Sequence, residues 1–266
     1  MDSSDFTIKE LKEYLDKNNI DDNIINILEN DNRKGVQKLA VKLQKKRRLK
    51  EEKIKKWKQM NNKIRKLHIK GYKYIAGIDE AGRGPLAGPV VASAVIFGQD
   101  TLIPGIDDSK KLSADKRDYY YDIINEKAIA SGVGIVNNKI IDRINILQAT
   151  FKAMRLAINN LNIESDYILV DGNRIIPDIK NSQEAIVDGD SKVTSIAAAS
   201  ILAKVSRDRI IDKYDKIYPE YGFIRNKGYG TEEHILALKK YGPSPIHRFS
   251  FNIVKKSTLT KEEKNG

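Results

Sequence analysis

Ile75-Ala76-Gly77-Ile78-Asp79-Glu80 runs from core-type residues straight into two carboxylates, and the same shape recurs twice further along the chain. Tyr167-Ile168-Leu169-Val170-Asp171 ends in one aspartate, and Ala185-Ile186-Val187-Asp188-Gly189-Asp190 in two. Short runs of Val, Ile and Ala bounded by Gly and Pro favour strands. By that rule 74–77, 88–97, Ile135-Val136, Tyr167–Val170 and Ala185–Val187 read as strands. Residues 114–130, 143–161 and 195–214 read as helices. Strands and helices in this mixture make an α/β domain.

A carboxylate at the edge of a core is costly unless a cation or several donors meet it, and open α/β sheets place their sites at strand ends. Taken singly, each aspartate is explained as well by a turn or a helix cap. Gathered at neighbouring strand ends, with no His or Cys nearby in sequence, the carboxylates suit a hard, oxygen-preferring cation such as Mg²⁺ or Mn²⁺. Two such ions would clamp the attacking and leaving oxygens of a phosphodiester. Adjacent strand residues face opposite ways, so Asp79 and Glu80 serve one site only if Ala81-Gly82-Arg83-Gly84-Pro85 ends the strand and re-aims the backbone. Two glycines around an arginine also let backbone amides approach a ligand. In the helix from Ser195, Ser200, Lys204 and Arg207 share one face. That row is either a phosphate-binding stripe or an ordinary exposed one.

The composition of the 266 residues, 40% hydrophobic and 32% charged, is that of a globular protein. With no cysteine, a disulfide framework, a thiolate zinc site and a cysteine nucleophile are excluded. The acidic start lacks the form of a signal peptide and no apolar run reaches membrane-spanning length, so a cytoplasmic protein without membrane attachment is expected. The net charge of +12 is concentrated: residues 33–70 carry 17 Lys or Arg against Glu51 and Glu52 alone, whereas residues 1–32 carry 3 Lys and 9 acids. Such a stripe reads as a polyanion-binding surface or as a solvated lysine-rich helix. Thr7-Ile8-Lys9-Glu10 fits a capping box, Asp21 or Asp22 can cap a second helix, and Asp31 or Asn32 can open a third. If 33–66 were one helix, it would span roughly 50 Å at about 1.5 Å per residue. Gly71 is the expected break before the α/β domain.

The segments AGIDEAGRGPLAGPVVASAVI, DSKKLS at 108–113, IDRINILQAT, VDGNR, GDSKVTSIAAASILAKVSRDR, and YGFIRNKGYGT through YGPSPIHRFSF resemble ribonuclease HII, in matching order over about 72–251. The Gly82-Arg83-Gly84 triplet favours this family over ribonuclease HIII. The stretch Asp31–Leu39 resembles the N-terminal extension of some bacterial members. The resemblance implies a ribonuclease H-like fold, a five-stranded mixed sheet flanked by helices. To this the chain adds a small all-α, basic N-terminal module over 1–70, with the catalytic domain over 71–254 and a disordered tail over 255–266. It implies a monomeric endonuclease that cuts 5′ of a ribonucleotide, in RNA–DNA hybrids or at single ribonucleotides embedded in duplex DNA, leaving a 3′-hydroxyl and a 5′-phosphate.

Carried over by position, the resemblance makes Asp79, Glu80, Asp171 and Asp190 the catalytic ligands of two Mg²⁺ or Mn²⁺ ions. Asp190, not Asp188, matches the Gly-Asp-Ser pattern; Asp188 stands where a lysine is common. Gly82, Arg83 and Gly84 would read the 2′-hydroxyl and a neighbouring phosphate. Tyr229 would stack on the next deoxyribose, and Lys110, Ser200 and Lys204 would contact phosphates. His68, His234 and His247 lie far from the acids in sequence, which argues against a histidine general base. The competing readings are a junction resolvase or transposase-like nuclease with the same acids, and a non-enzymatic nucleic-acid-binding protein. A helicase is disfavoured, since no Gly-x4-Gly-Lys-Ser/Thr loop is present.

Overall fold

Capping chemistry written in the sequence sets the first helix starts. The computed structural model describes residues 3–18 and 21–262, with side chains as far as 257. The Thr7 hydroxyl accepts from Glu10 N at 3.3 Å while the Glu10 carboxylate accepts from Thr7 N at 2.8 Å, and α1 (Ile8–Lys17) follows. Asp21 caps α2 (Asp22–Glu29) through Ile24 N. Ahead of α3 (Lys34–Met60), the Asp31 carboxylate receives the Arg33 amide and guanidinium, and Arg33 also donates to the Ser3 and Phe6 carbonyls. Leu11, Leu28, Val36 and Ala40 form the small core of this unit.

Backbone packing divides the chain into two compact units between Lys56 and Trp57, so the last part of the expected 1–70 module packs within the second. Trp57 and Met60 of α3, and Ile64 and Leu67 of α4 (Asn62–Ile69), are buried in the second unit, at spacings of three and four that make one helical stripe. The Trp57 ring meets Phe97 edge-on at 5.9 Å. The single helix over 33–66 is likewise interrupted, at Asn61.

The second unit continues with β1 (Ile75–Ala81), β2 (Val90–Phe97), α5 (Ala114–Lys127), β3 (Ala128–Val136), α6 (Asn138–Asn159), β4 (Tyr167–Asp171), β5 (Ser182–Ile186), α7 (Gly189–Lys192), α8 (Thr194–Ile217), α9 (Phe223–Asn226), α10 (Glu232–Tyr241) and α11 (Asn252–Glu262). The five strands form one mixed sheet in the order β3-β2-β1-β4-β5, with β1 antiparallel to β2, β2 to β3, and β1, β4 and β5 parallel. Strand alternation divides the core in two. Ala76, Ile78, Ile168 and Val170 meet Phe151 and Met154 of α6, while Ile75 and Leu169 meet Ile196 of α8. A side chain at Gly77 would strike the α8 backbone, its Cβ falling 2.3 Å from the Ser195 carbonyl carbon, so glycine lets that helix lie on β1.

Three expectations are corrected. β3 is a full nine-residue strand rather than Ile135-Val136, with alternate residues from Ala130 to Val136 buried. α6 starts at Asn138 and breaks at Asn145, whose φ is 64° and whose side chain caps the second stretch through Gln148 N. The tail expected to be disordered from 255 is helical to Glu262, anchored by buried Val254; residues 263–266 lie outside the described residues. No helix among the described residues is long and apolar enough to cross a membrane.

Candidate active site

Parallel pairing of β1 with β4 aligns Ile78 with Val170, which brings Asp79 and Asp171 to the same edge of the sheet. β5 pairs with β4 up to Ile186, and the chain then turns through Asp188, in the left-handed region at φ 54°, into α7, which carries Asp190. Gly189 N donates to Asp171 Oδ1 at 2.7 Å, tying that helix to the end of β4. β1 does not end before Ala81; its pairing continues with Asp79 opposite Ser93 and Glu80 opposite Ala92. The backbone is therefore not re-aimed between the two acids. Asp79 faces α8, where it meets Ser200, and Glu80 faces α6 across a cleft of about 290 Å³ lined also by Arg83, Phe151 and Asp171. The two carboxylates approach Asp171 from opposite sides of the sheet.

Burial pushes the Asp79 carboxyl well above the usual range, and the charges of Glu80 and Asp171 push it further. The Ser200 hydroxyl and Glu80 N, the latter at 2.6 Å, answer that charge in part. Glu80 is raised by burial, against the pull of the Arg83 guanidinium 3.1 Å away. Asp190 is raised by burial, then by Asp108 and Asp171, with Lys110 opposing at 3.7 Å. For Lys110, burial works against the ammonium, but Asp108, Asp190, Asp79 and Asp171 together hold its pKa above the usual value. Asp108 was not singled out from sequence. It caps the Ser109–Lys111 turn by accepting from Lys110 N at 2.9 Å, and its negative charge is among those that raise Asp190.

Among the described residues no three acidic or histidine side chains stand close enough to hold one metal ion as they are. The donors nevertheless fit a hard divalent cation. They are all oxygens, Asp79, Glu80 and Asp190 are raised first by burial and then by neighbouring carboxylates, and a cation would relieve that crowding. None of the three histidines is at hand: His68 bonds the Tyr72 carbonyl, and His234 and His247 bond each other.

Gly82, Arg83 and Gly84 follow the acids directly. Gly82 has φ +91°, and a Cβ there would fall 2.1 Å from Arg207 Nε, so both its conformation and its space require glycine. A Cβ at Gly84 would stand 3.7 Å from the Tyr229 ring, which is 44% exposed. The loop and Tyr229 thus share one surface. Lys110 is exposed, but Lys204 is engaged with Asp208 at 2.8 Å and Ser200 is buried, bonded to Ser109 at 2.9 Å. Arg207, the last of the supposed stripe, is fully buried.

The family model described as Ribonuclease HII matches residues 76–254, and that described as Ribonuclease HII N-terminal domain matches residues 7–67. A ribonuclease HII of Clostridioides difficile (strain 630) is 54% identical over 252 residues, 93% of this chain and 97% of that protein. One from Bacillus licheniformis is 50% identical over 250 residues, 94% of this chain and 97% of that protein. Among solved structures, the ribonuclease H2 from Pyrococcus horikoshii OT3 superposes with a TM-score of 0.61 at 28% identity, over 71% of this chain and 99% of that one. On this sheet, these acids and these matches, the chain belongs to the ribonuclease HII family, endonucleases of the ribonuclease H type that act on RNA–DNA hybrids.

Proposed function

We propose that the chain hydrolyses the phosphodiester on the 5′ side of a ribonucleotide, in RNA–DNA hybrids and at single ribonucleotides embedded in duplex DNA, leaving a 3′-hydroxyl and a 5′-phosphate. The observation that carries this reading is the juxtaposition of two surfaces. Carboxylates crowd the ends of β1 and β4 and the start of α7, Asp79 and Asp190 among them buried, and the Gly82–Gly84 loop with Tyr229 lies directly beside them. Asp79, Glu80, Asp171 and Asp190 would hold two divalent ions, Mg²⁺ or Mn²⁺. When bound, these supply the positive charge that an in-line displacement needs at its attacking and leaving oxygens.

The remaining work falls to the chain. Backbone amides of the Gly82–Gly84 loop can reach a 2′-hydroxyl, the group that distinguishes RNA from DNA. Arg83 can leave Glu80 for a phosphate, and the exposed Tyr229 ring can stack against the sugar beyond the junction. Lys110 can exchange Asp190 for a phosphate oxygen. Ser200 instead orients Asp79 from below. With His234 and His247 bonded to each other, no imidazole takes the proton of the attacking water.

An end-labelled DNA duplex carrying one ribonucleotide tests the reading, with a pure DNA duplex beside it and Mg²⁺, Mn²⁺ or EDTA added. We expect one cut, immediately 5′ of the ribonucleotide, that disappears in EDTA. Cutting of the pure DNA duplex would favour the resolvase-like alternative, and cutting only of a continuous hybrid would remove the junction-reading role of Tyr229.

A further inference from the structure

Two arginines lie wholly buried behind the Gly82–Gly84 loop without an ion pair among the described residues. Arg248 donates to the carbonyls of Gly82 at 2.6 Å, Arg83 at 2.8 Å, Gly88 at 3.0 Å and Pro89 at 3.1 Å. Arg207 donates to Pro89 at 3.1 Å, Ala87 at 3.1 Å and Lys227 at 3.0 Å, and its guanidinium lies 5.9 Å from the centre of the Tyr229 ring. The two forks therefore share the Pro89 carbonyl. Between them they hold both ends of the Gly82–Pro89 loop and the turn that presents Tyr229. Backbone bonds close the same unit, from Leu86 N to the Gly228 carbonyl and from Arg248 N to the Leu86 carbonyl, both at 2.8 Å.

Burying a guanidinium is expensive, and evolution usually answers it with a carboxylate. A carboxylate here would satisfy the same donors but would cancel the charge. Carbonyls satisfy the donors and leave two positive charges behind the backbone that faces the substrate. A lysine could not replace either side chain in kind, because one ammonium cannot fan out over carbonyls spread along a loop as the planar fork does.

We infer that Arg207 and Arg248 are positioning residues that join the Gly82–Gly84 loop and the Tyr229 turn into one rigid substrate-reading body. The inference rests on the reading of these two segments as substrate contacts. Its consequence is selective. In a continuous hybrid every phosphodiester follows a ribonucleotide, so a loosened reader still finds a 2′-hydroxyl. At a single embedded ribonucleotide only one register is productive, and both segments must be in place at once.

The test uses the full chain and its Arg207→Lys and Arg248→Lys variants. kcat/KM is measured on a single-ribonucleotide duplex and on a continuous hybrid, and amide hydrogen exchange is followed in parallel. We expect the ratio of the two kcat/KM values to fall roughly 10- to 100-fold in each variant, the size of effect that a misplacement of about 1 Å produces. We also expect exchange at Leu86, Gly88, Gly228 and Tyr229 to accelerate together while the amides of β2 stay protected. A general loss of stability would lower both activities alike and leave their ratio unchanged. An unchanged ratio with unchanged exchange overturns the inference, as does acceleration of one segment without the other. Should Arg248→Lys not fold, Arg207→Lys, which keeps all four Arg248 bonds, decides. If the wild-type chain cuts neither substrate, the reading of the site fails, and the exchange pattern still decides whether the two segments move as one body.

Discussion

Asp79 is buried beside the like charges of Glu80 and Asp171, which makes its ionised form costly to the fold. Asn at that position keeps an oxygen for Glu80 N and removes the repulsion from Glu80 and Asp171. Asp79→Asn should therefore raise the thermal midpoint in EDTA while lowering cleavage by more than about 100-fold, beyond the usual loss of an outer-shell partner. A lower midpoint with cleavage retained would show that the side chain is structural. Asp79 and Asp171 stood out in sequence because each follows an apolar run directly, and Asp190 because it sits in a Gly-Asp-Ser pattern. Asp188 follows one too, yet its carboxylate is 73% exposed beside Lys192, a difference made by the left-handed turn and not visible in composition. Asp108 stands in a loop with no periodic signal. Arg207 was misread because spacing shows which residues share a helix face, not whether that face meets water.

Helix α10 is joined to the segment after it by a chain of hydrogen bonds whose polarity is fully determined. Ser244 N donates to His247 Nδ1 at 2.9 Å, so that nitrogen is unprotonated. His247 Nε2 must then donate to His234 Nε2, also 2.9 Å away, and His234 Nδ1 donates to the Tyr229 carbonyl at 2.8 Å. An added proton has no place in this relay. Burial, followed by the neighbouring His234, holds His247 down at about 3, and burial lowers His234. The unfolded chain binds protons near pH 6.5 that the folded chain refuses, so stability is complete above about pH 6.5 and declines as pH falls below it. The decline from His247 alone approaches about 1.4 kcal/mol per pH unit. Urea unfolding between about pH 7.5 and pH 5 should show this slope, and His247→Gln should flatten it. An equal slope in the variant would assign it elsewhere. Elements were less legible where tertiary contacts override local preference: in β3, Ala, Ser and Gly dilute the Ile and Val that favour strands, but it pairs with β2 along its length.

The two units differ in what they offer a polyanion. The exposed lysines of α3, among them Lys45, Lys46, Lys50 and Lys53, form a basic face on the first unit, and the Arg33–Asp31 contacts hold the start of that helix. Replacing those four lysines with Gln should reduce the salt dependence of duplex binding by as much as about 3.5 in log–log slope, at about 0.9 per phosphate contact, and leave the cut position unchanged. An unchanged slope would return the stripe to a solvated helix. A truncation meant to ask the same question must end at Lys56, since removal through residue 70 also strips Trp57, Met60, Ile64 and Leu67 from the second core. Composition showed the basic stripe; which part of it belonged to which core was decided by four apolar residues within it.

Helix α8 reaches both halves of the site, Ser200 touching Asp79 and Arg207 touching the Gly82–Pro89 loop seven residues on. That interval is about 10 Å of helical rise, set by backbone hydrogen bonds and not by any side chain. The spacing between acids and loop is thus gauged by a rod. Point substitution along α8 can blunt either end of it but cannot change its length, whereas one inserted residue would swing Arg207 by about 100° away from the loop.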